Sequence, residues 1–250
     1  MRLPALVLCY HAISDEWTDG LAVPARALEG HVTALLRIGY RGAPSGAPHP
    51  LPPGTLHVTF DDAYRSVRAV LPTLRRLGVP VSIFAATAFA DDGGVLDIPE
   101  LRGRADGRED ELSTMTWDML AAAADEGVTI GSHSVSHPHL PSLSDDALRR
   151  ELRESRQRIE DRLRRPCLTV AYPFGEHDAR VRAAATAAGY AVGYGLDRPG
   201  GDIDRFAVPR IDVYRPDSRA RVIVKALPTG RPVVAARRAL RSLAAVARRR

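Results

Sequence analysis

The run L-H-V-T-F-D-D-A-Y-R-S-V-R-A-V-L-P-T-L-R-R-L-G-V-P-V-S-I-F, residues 56–84, decides the fold. Residues 56–60 form a short apolar run of strand type. Val67, Val70, Leu71, Leu74 and Leu77 then recur at helical spacing across 62–77, and 79–84 returns to a strand-like run. Strand, helix and strand within one such stretch is the unit that builds a parallel sheet or barrel.

Outward from this unit the alternation continues. Residues 3–10 read as an opening strand, 115–126 as a helix, 127–131 as a short strand, 168–172 as a strand, 179–189 as a helix and 190–195 as a strand. Ser144 is placed to cap a helix whose first turn carries Asp145 and Asp146, where the helix dipole favours acids. Along that helix Leu148, Leu152, Ser155, Ile159 and Leu163 draw one core-facing stripe among Arg and Glu. Residues 41–54, rich in Pro and Gly, and 90–110, rich in Asp and Gly, read as surface loops. No repeat of solenoid type is present.

The chain has 250 residues, 45% hydrophobic and 26% charged, which is an ordinary globular composition and disfavours disordered, collagen-like and coiled-coil classes. Cys9 and Cys167 are too few for a disulfide scaffold or a cysteine-based zinc site, and fit a reducing compartment. Residues 231–250 hold seven Arg and no acid, so the chain's net +5 becomes −2 (five minus seven) over the first 230 residues. The basic surplus is therefore a terminal segment and not a nucleic-acid-binding face, and the segment lacks the aromatic interleaving such a partner favours; no nucleic acid is expected. Contact of this Arg-rich tail with an anionic membrane surface is expected instead. No stretch approaches the ~20 apolar residues of a membrane span. The run 3–10 lacks the cleavage site of a secretory leader, so a cytoplasmic location, peripheral to the membrane, is the expectation.

Three segments place polar residues where a strand ends, the position of active sites in α/β barrels and sheets. In Thr59-Phe60-Asp61-Asp62 the adjacent carboxylates either cap an acidic helix start or share a cation that leaves one of them free as a base. In His133-Ser134-Val135-Ser136-His137, two imidazoles four apart can meet one divalent ion if the segment is helical or turned, with Ser134 and Ser136 able to satisfy backbone or supporting groups. In Ala171-Tyr172-Pro173-Phe174-Gly175, Pro fixes the chain and Gly permits close approach, so a backbone N–H can face a developing oxyanion; a purely structural turn reads the same way.

In this order, T-F-D-D, then H-S-x-x-H about seventy residues on, then Y-P-F-G, the chain resembles the polysaccharide deacetylase family, carbohydrate esterase family 4. The resemblance runs from Cys9-Tyr10-His11 to Pro209-Arg210-Ile211-Asp212. It implies a single-domain α/β fold, a distorted (β/α) barrel with fewer than eight strands, occupying residues 1–215 and followed by an extension over 216–250. It also implies removal of N-acetyl groups from an amino sugar, polymeric or lipid-linked. One divalent metal is implied, zinc first by ligand type, with cobalt, nickel and iron also suited. Asp62, His133 and His137 become its ligands, Asp61 the general base acting on the attacking water, and the Phe174 N–H the oxyanion donor.

Two departures matter. Members commonly carry an Arg just before the Pro-aromatic-Gly segment to orient the base, where this chain has Val170-Ala171-Tyr172; Arg210 is the candidate for that role and, with Tyr172, is placed on the substrate-binding side of the site. Members also supply a proton donor from a late His, and no His follows His177 here. His11, at the end of the first strand, is the best-placed donor, with His139 and His177 as rivals; His57 lies within a strand, and His31 and His49 fall in segments with no link to that face. A Y-H pair in this position resembles the branch acting on poly-N-acetylglucosamine. A catalytically inactive glycan-binding or scaffold protein of the same fold is the alternative these departures leave open.

Overall fold

The computed structural model describes residues 3–44, 51–105, 107–196 and 204–227. Among them are the strands β1 (Leu6–Tyr10), β2 (Ala12–Ile13), β3 (Ala22–Val23), β4 (Arg41–Gly42), β5 (Thr55–Phe60), β6 (Val81–Ala85), β7 (Thr129–Ser132), β8 (Thr169–Ala171), β9 (Val192–Gly195), β10 (Val208–Pro209) and β11 (Ile211–Asp212). The α-helices are α1 (Ala25–Arg37), α2 (Leu71–Arg76), α3 (Trp117–Asp125), α4 (Asp145–Leu163), α5 (Ala179–Ala187) and α6 (Arg219–Ala226).

The main sheet runs β10-β9-β8-β7-β6-β5-β1-β11, every neighbour parallel, with β4 added beside β5. Pro209 pairs with Gly195 at one edge and Ile211 with Leu8 at the other, and a single residue, Arg210, separates them. β10 and β11 are thus one stave of chain that bridges both edges, so the eight paired segments on the path make seven staves around a nearly closed barrel. The α/β class, the single domain and the distorted barrel of fewer than eight staves are as expected from the sequence.

Strand alternation separates two cores. In β5, Leu56, Val58 and Phe60 face the helices, while His57, Thr59 and the following Asp61 face the lumen. The lumen's apolar part is small and includes Val7, Phe84, Ala171, Tyr194 and Val208, packed with Ala43 and Leu51. Above it the inward residues become polar: Cys9, Thr59, Asp61 and Arg210 meet by hydrogen bonds. Because every strand is parallel, β1, β5, β7 and β8 all deliver their next residues to the same mouth.

Local rules explain most elements. Ser144, Thr116, Asp178 and Ser218 each cap a helix, accepting from the backbone N–H three residues on. On α4, Leu148, Leu152, Ser155 and Ile159 are buried, as the stripe predicts. The expected helix over 62–77 is instead a 3-10 segment (Arg65–Val70) running into α2, because Asp62 and Ala63 adopt left-handed backbone and delay it. Residues 90–110, read as a surface loop, bury Leu96, Ile98, Leu101 and Ala105 through short 3-10 turns. Residues 41–42, also read as loop, form β4. Residues 45–50, with His49, and the Arg-rich stretch 231–250 lie outside the described residues.

Past residue 215 the chain stays on the barrel. α6 packs against α1, and the buried Lys225 ammonium donates to the Asp212 carbonyl (2.8 Å) and to Asp217 (2.5 Å). Cys9 and Cys167 are free thiols, both buried. No helix among the described residues is long and apolar enough to cross a membrane.

β4 reaches the sheet only because residue 42 lacks a side chain: a Cβ there would stand 1.8 Å from the Gly78 carbonyl oxygen. Gly42→Ala is therefore expected to lower stability by about 1–3 kcal/mol through overpacking against rigid backbone. Urea unfolding reads this, and a variant as stable as the parent would mean that β4 is not held in this register.

Candidate active site

The end of β5 carries the carboxylate pair. Asp61 continues the strand's alternation into the lumen, its N–H donating to the Tyr10 carbonyl (2.9 Å). Arg210 meets it with both guanidinium arms, Nη1 to Oδ1 at 2.6 Å and Nη2 to Oδ2 at 2.8 Å, and Nη1 also reaches Thr59 Oγ1 (3.2 Å). Thr59 in turn donates to the Leu8 carbonyl (2.8 Å), so the pair is tied to β1 and β5 together. The Arg210 side chain has no exposed surface and lies against the Phe84 and Tyr194 rings. Burial pushes the Asp61 carboxyl up, but the guanidinium outweighs it and holds the group well below the usual carboxylate range.

Asp62 turns back toward the same mouth through a left-handed backbone (φ 67°) and faces two imidazoles. Its Oδ1 lies 3.6 Å from His133 Nε2 and 3.2 Å from His137 Nε2, and His133 Nε2 is 3.9 Å from Asp61 Oδ2. His133, first residue after β7, gives its Nδ1–H to the Ala171 carbonyl (2.7 Å), which leaves Nε2 as the lone-pair nitrogen. Burial pushes this imidazole down to about 4, so it is neutral. For His137 burial acts the same way, but the Asp62 carboxylate reverses it and lifts the ring above its usual value. Of the two conformations that bring ligands four apart together, helix and turn, the intervening loop takes the turn: Ser134 (φ 67°) and His137 (φ 61°) are both left-handed. Ser134 Oγ accepts the His137 N–H (3.0 Å), and Glu151 on α4 accepts from the Val135 and Ser136 N–H groups and the Ser136 hydroxyl.

Asp62, His133 and His137 fit a divalent cation. Their ligand atoms lie within 4.8 Å of one another, and Asp62 Oδ1 is buried with no hydrogen-bond partner among the described residues. Ligands of a tetrahedral zinc at about 2.0–2.1 Å stand about 3.3 Å apart, close to the separations from Asp62. Cys9, His11 and Asp61 form a second group within the same limit. That group does not suit a cation: Arg210 already meets both Asp61 oxygens, and burial pushes the Cys9 thiol well above its usual range.

The remaining expectations divide. His11 stands in the group with Asp61 and Cys9, its ring partly exposed, and its buried Nδ1 has no partner among the described residues. His139 spends both ring nitrogens on carboxylates, Nδ1 on Glu176 (2.8 Å) and Nε2 on Glu100 (3.2 Å). His177 Nδ1 accepts from Arg182 Nη1 (3.1 Å) and its ring lies on Tyr172. His31 is buried between the Tyr10 hydroxyl and the Asp217 carbonyl, and His57 bonds Ser82 in the lumen. Phe174 reaches the cluster with its ring edge-to-face on His137 (4.7 Å) and stacked on His139 (4.0 Å), with φ 59°.

Tyr172 and Arg210, expected on the substrate-binding side, are both buried in the structure. Tyr172 is fully buried, crossing β9 where Gly193 leaves room, and donates its hydroxyl to the Phe206 carbonyl (2.9 Å). The Tyr172 hydroxyl and both Arg210 Nη atoms are spent on buried partners. Sequence reasoning missed Cys9, Glu151 and the two glutamates on His139. Cys9 was legible in principle, being the inward residue two before His11; the others meet the site from distant segments and leave no local pattern.

A family model described as polysaccharide deacetylase matches residues 49–193. YxkH of Bacillus subtilis (strain 168), a curated relative named for that same family, is 25% identical over 200 residues, 77% of this chain; the match spans 63% of the relative's length. Three solved structures share the fold. They are a Streptococcus pyogenes deacetylase, PplD (TM-score 0.69, 18% identity, 91% of this chain and 99% of that one); a de-N-acetylase of Aggregatibacter actinomycetemcomitans (0.71, 17%, 89% and 99%); and IcaB of Ammonifex degensii (0.69, 20%, 90% and 97%).

The buried Asp61–Arg210 pair makes a stability prediction. Arg210→Met leaves a carboxylate buried without its counter-charge and is expected to cost about 3–5 kcal/mol. In an Asp61→Asn background the same change is expected to cost far less. Chelator-treated protein in urea measures the cycle, and equal costs in the two backgrounds would mean that the pair is not coupled.

Proposed function

The chain belongs to the polysaccharide deacetylase family, and from that premise we propose that it is a metal-dependent carbohydrate N-deacetylase acting on an N-acetylated amino sugar. The observation that carries the proposal is the division of labour between adjacent carboxylates: Asp61 is claimed by a guanidinium, and Asp62 faces two imidazoles.

The chemistry follows from what each group can do. Hydrolysis of an amide must deprotonate water, carry negative charge on the carbonyl oxygen and protonate the leaving nitrogen. Asp61 is ionised and oriented by Arg210, and accepts the proton of the attacking water as the new C–O bond forms. A divalent ion held by Asp62, His133 and His137, zinc first by ligand type and cobalt, nickel or iron by the same donors, would supply Lewis acidity that lowers the pKa of water to match so acidic a base. The residue 174 N–H is assigned to the developing oxyanion. His11 is assigned to protonate the nitrogen as the C–N bond breaks, releasing acetate and the free amine.

An inactive glycan-binding protein would suit a chain with no orienting arginine and no proton donor. Arg210 and His11 stand beside Asp61, which favours the active reading.

Acetate release from metal-loaded protein on a panel of N-acetylglucosamine oligomers and N-acetylated glycoconjugates tests the proposal. Asp61→Asn is expected to keep its ion and lose about 10²–10⁴-fold in turnover. His133→Ala should lose the ion by elemental analysis. His11→Ala should keep it and slow turnover by about 10²-fold, the size of a general-acid contribution. No acetate from the loaded parent on any substrate would sink the deacetylase reading.

A further inference from the structure

His139 lies at the rim of the site, about two-fifths exposed, and the proposed chemistry does not use it. Its ring is nonetheless held on three sides. Glu176 takes Nδ1, Glu100 takes Nε2, and the ring plane lies 14° from that of Phe174 at a centroid separation of 4.0 Å. One exposed carboxylate pair would be worth little. Two, drawn from opposite ring nitrogens, fix the ring plane as well as its position.

The carboxylates come from two separate segments. Glu176 directly follows the Pro173–Gly175 turn. Glu100 belongs to the Pro99–Leu101 turn, and that segment is anchored by the buried Ile98 and Leu101. The clamp thus ties the segment between β6 and α3 to the turn after β8, with Phe174 beneath it. Phe174 needs holding, because its left-handed backbone costs an L-residue on the order of 1–2 kcal/mol. A change to an extended φ would turn the residue 174 peptide relative to the ring that packs on His137 and His139.

We propose that His139 is a positioning residue: clamped between Glu100 and Glu176, it presses on the Phe174 ring and holds residue 174 in its left-handed conformation, and with it the peptide N–H assigned above to the oxyanion. The kinetic consequence rests on the deacetylase reading above; the conformational one does not.

The test combines turnover with the 15N–1H resonance and hydrogen exchange of the Phe174 amide in full-length, metal-loaded protein. His139→Ala is expected to lower kcat by about 10- to 100-fold, the scale of a displaced catalytic group, with KM and metal content near the parent's. It should also speed exchange at the Phe174 amide. His139→Phe keeps the stack without the carboxylate bonds and should recover part of both losses, and the Glu100→Gln, Glu176→Gln double variant should fall between the alanine variant and the parent. Parent-like exchange and kcat in His139→Ala would overturn the proposal, as would a His139→Phe variant no better than the alanine one. If the parent itself releases no acetate, the deacetylase reading fails, and the amide exchange alone still decides whether His139 holds Phe174.

Discussion

Arg210 occupies the single residue at which the chain steps from one edge of the sheet to the other, and inside the barrel both arms of its guanidinium meet Asp61. Barrel closure and site electrostatics therefore depend on one contact. Removing an aspartate and an arginine from water costs several kcal/mol each, and only a two-armed, fully buried geometry with further acceptors offsets it. Thr59 supplies that acceptor, and the Phe84 and Tyr194 rings give the cation two π faces. With its charge met from below, Asp61 adds little repulsion to the carboxylate next door, and Asp62 is left to face the imidazoles.

The backbone around the mouth is strained in a pattern that follows function. Six described non-glycine residues have positive φ, and five of them, Asp62, Ala63, Ser134, His137 and Phe174, belong to the three segments that build the site; the sixth, Arg164, ends α4. Each such residue costs on the order of 1–3 kcal/mol and persists only where its surroundings over-determine it. The supports are visible. The Ala63 carbonyl accepts the Met115 N–H (2.8 Å), and the Ser134 and Val135 carbonyls accept from Thr87 and Ala88. The two ends of the segment between β6 and α3, on either side of the residues 90–110 that read as a surface loop, thus brace two of the three site turns.

Legibility in the sequence followed the range of the interaction. Strands and helices with a clear period, the Ser144 cap and the α4 stripe are set by neighbours in the chain and read correctly, and the segments that supply Asp61, Asp62, His133 and His137 meet at one mouth. Arg210 is about 150 residues from its partner; only the gap left at Val170-Ala171-Tyr172 pointed to it. The burial of Tyr172 leaves no mark in the residues around the Pro-Phe-Gly turn. The deciding fact, a glycine at 193 that lets the ring cross β9, belongs to another strand. Glu151 and Glu100 were illegible for the same reason: a carboxylate on a polar helix or in an acidic loop carries no mark of the loop it will hold.

The Asp61-Asp62 pair shows how sequence adjacency becomes functional difference. On a regular strand, neighbours point to opposite faces, so a second aspartate would leave the lumen for the helix layer, where burial without a partner would protonate it. The left-handed turn at 62 and 63 reverses this and returns Asp62 to the side of Asp61, within reach of β7's histidines. The two carboxylates then differ through their partners and not their positions: one lies against a permanent cation, the other against two neutralisable rings. A glycine at 63 would enter that turn without penalty, and the alanine found there enters it at φ 52°, held by Met115. The dyad is therefore a property of the turn as much as of the two acids, and its chemistry depends on the segment that keeps the turn in place.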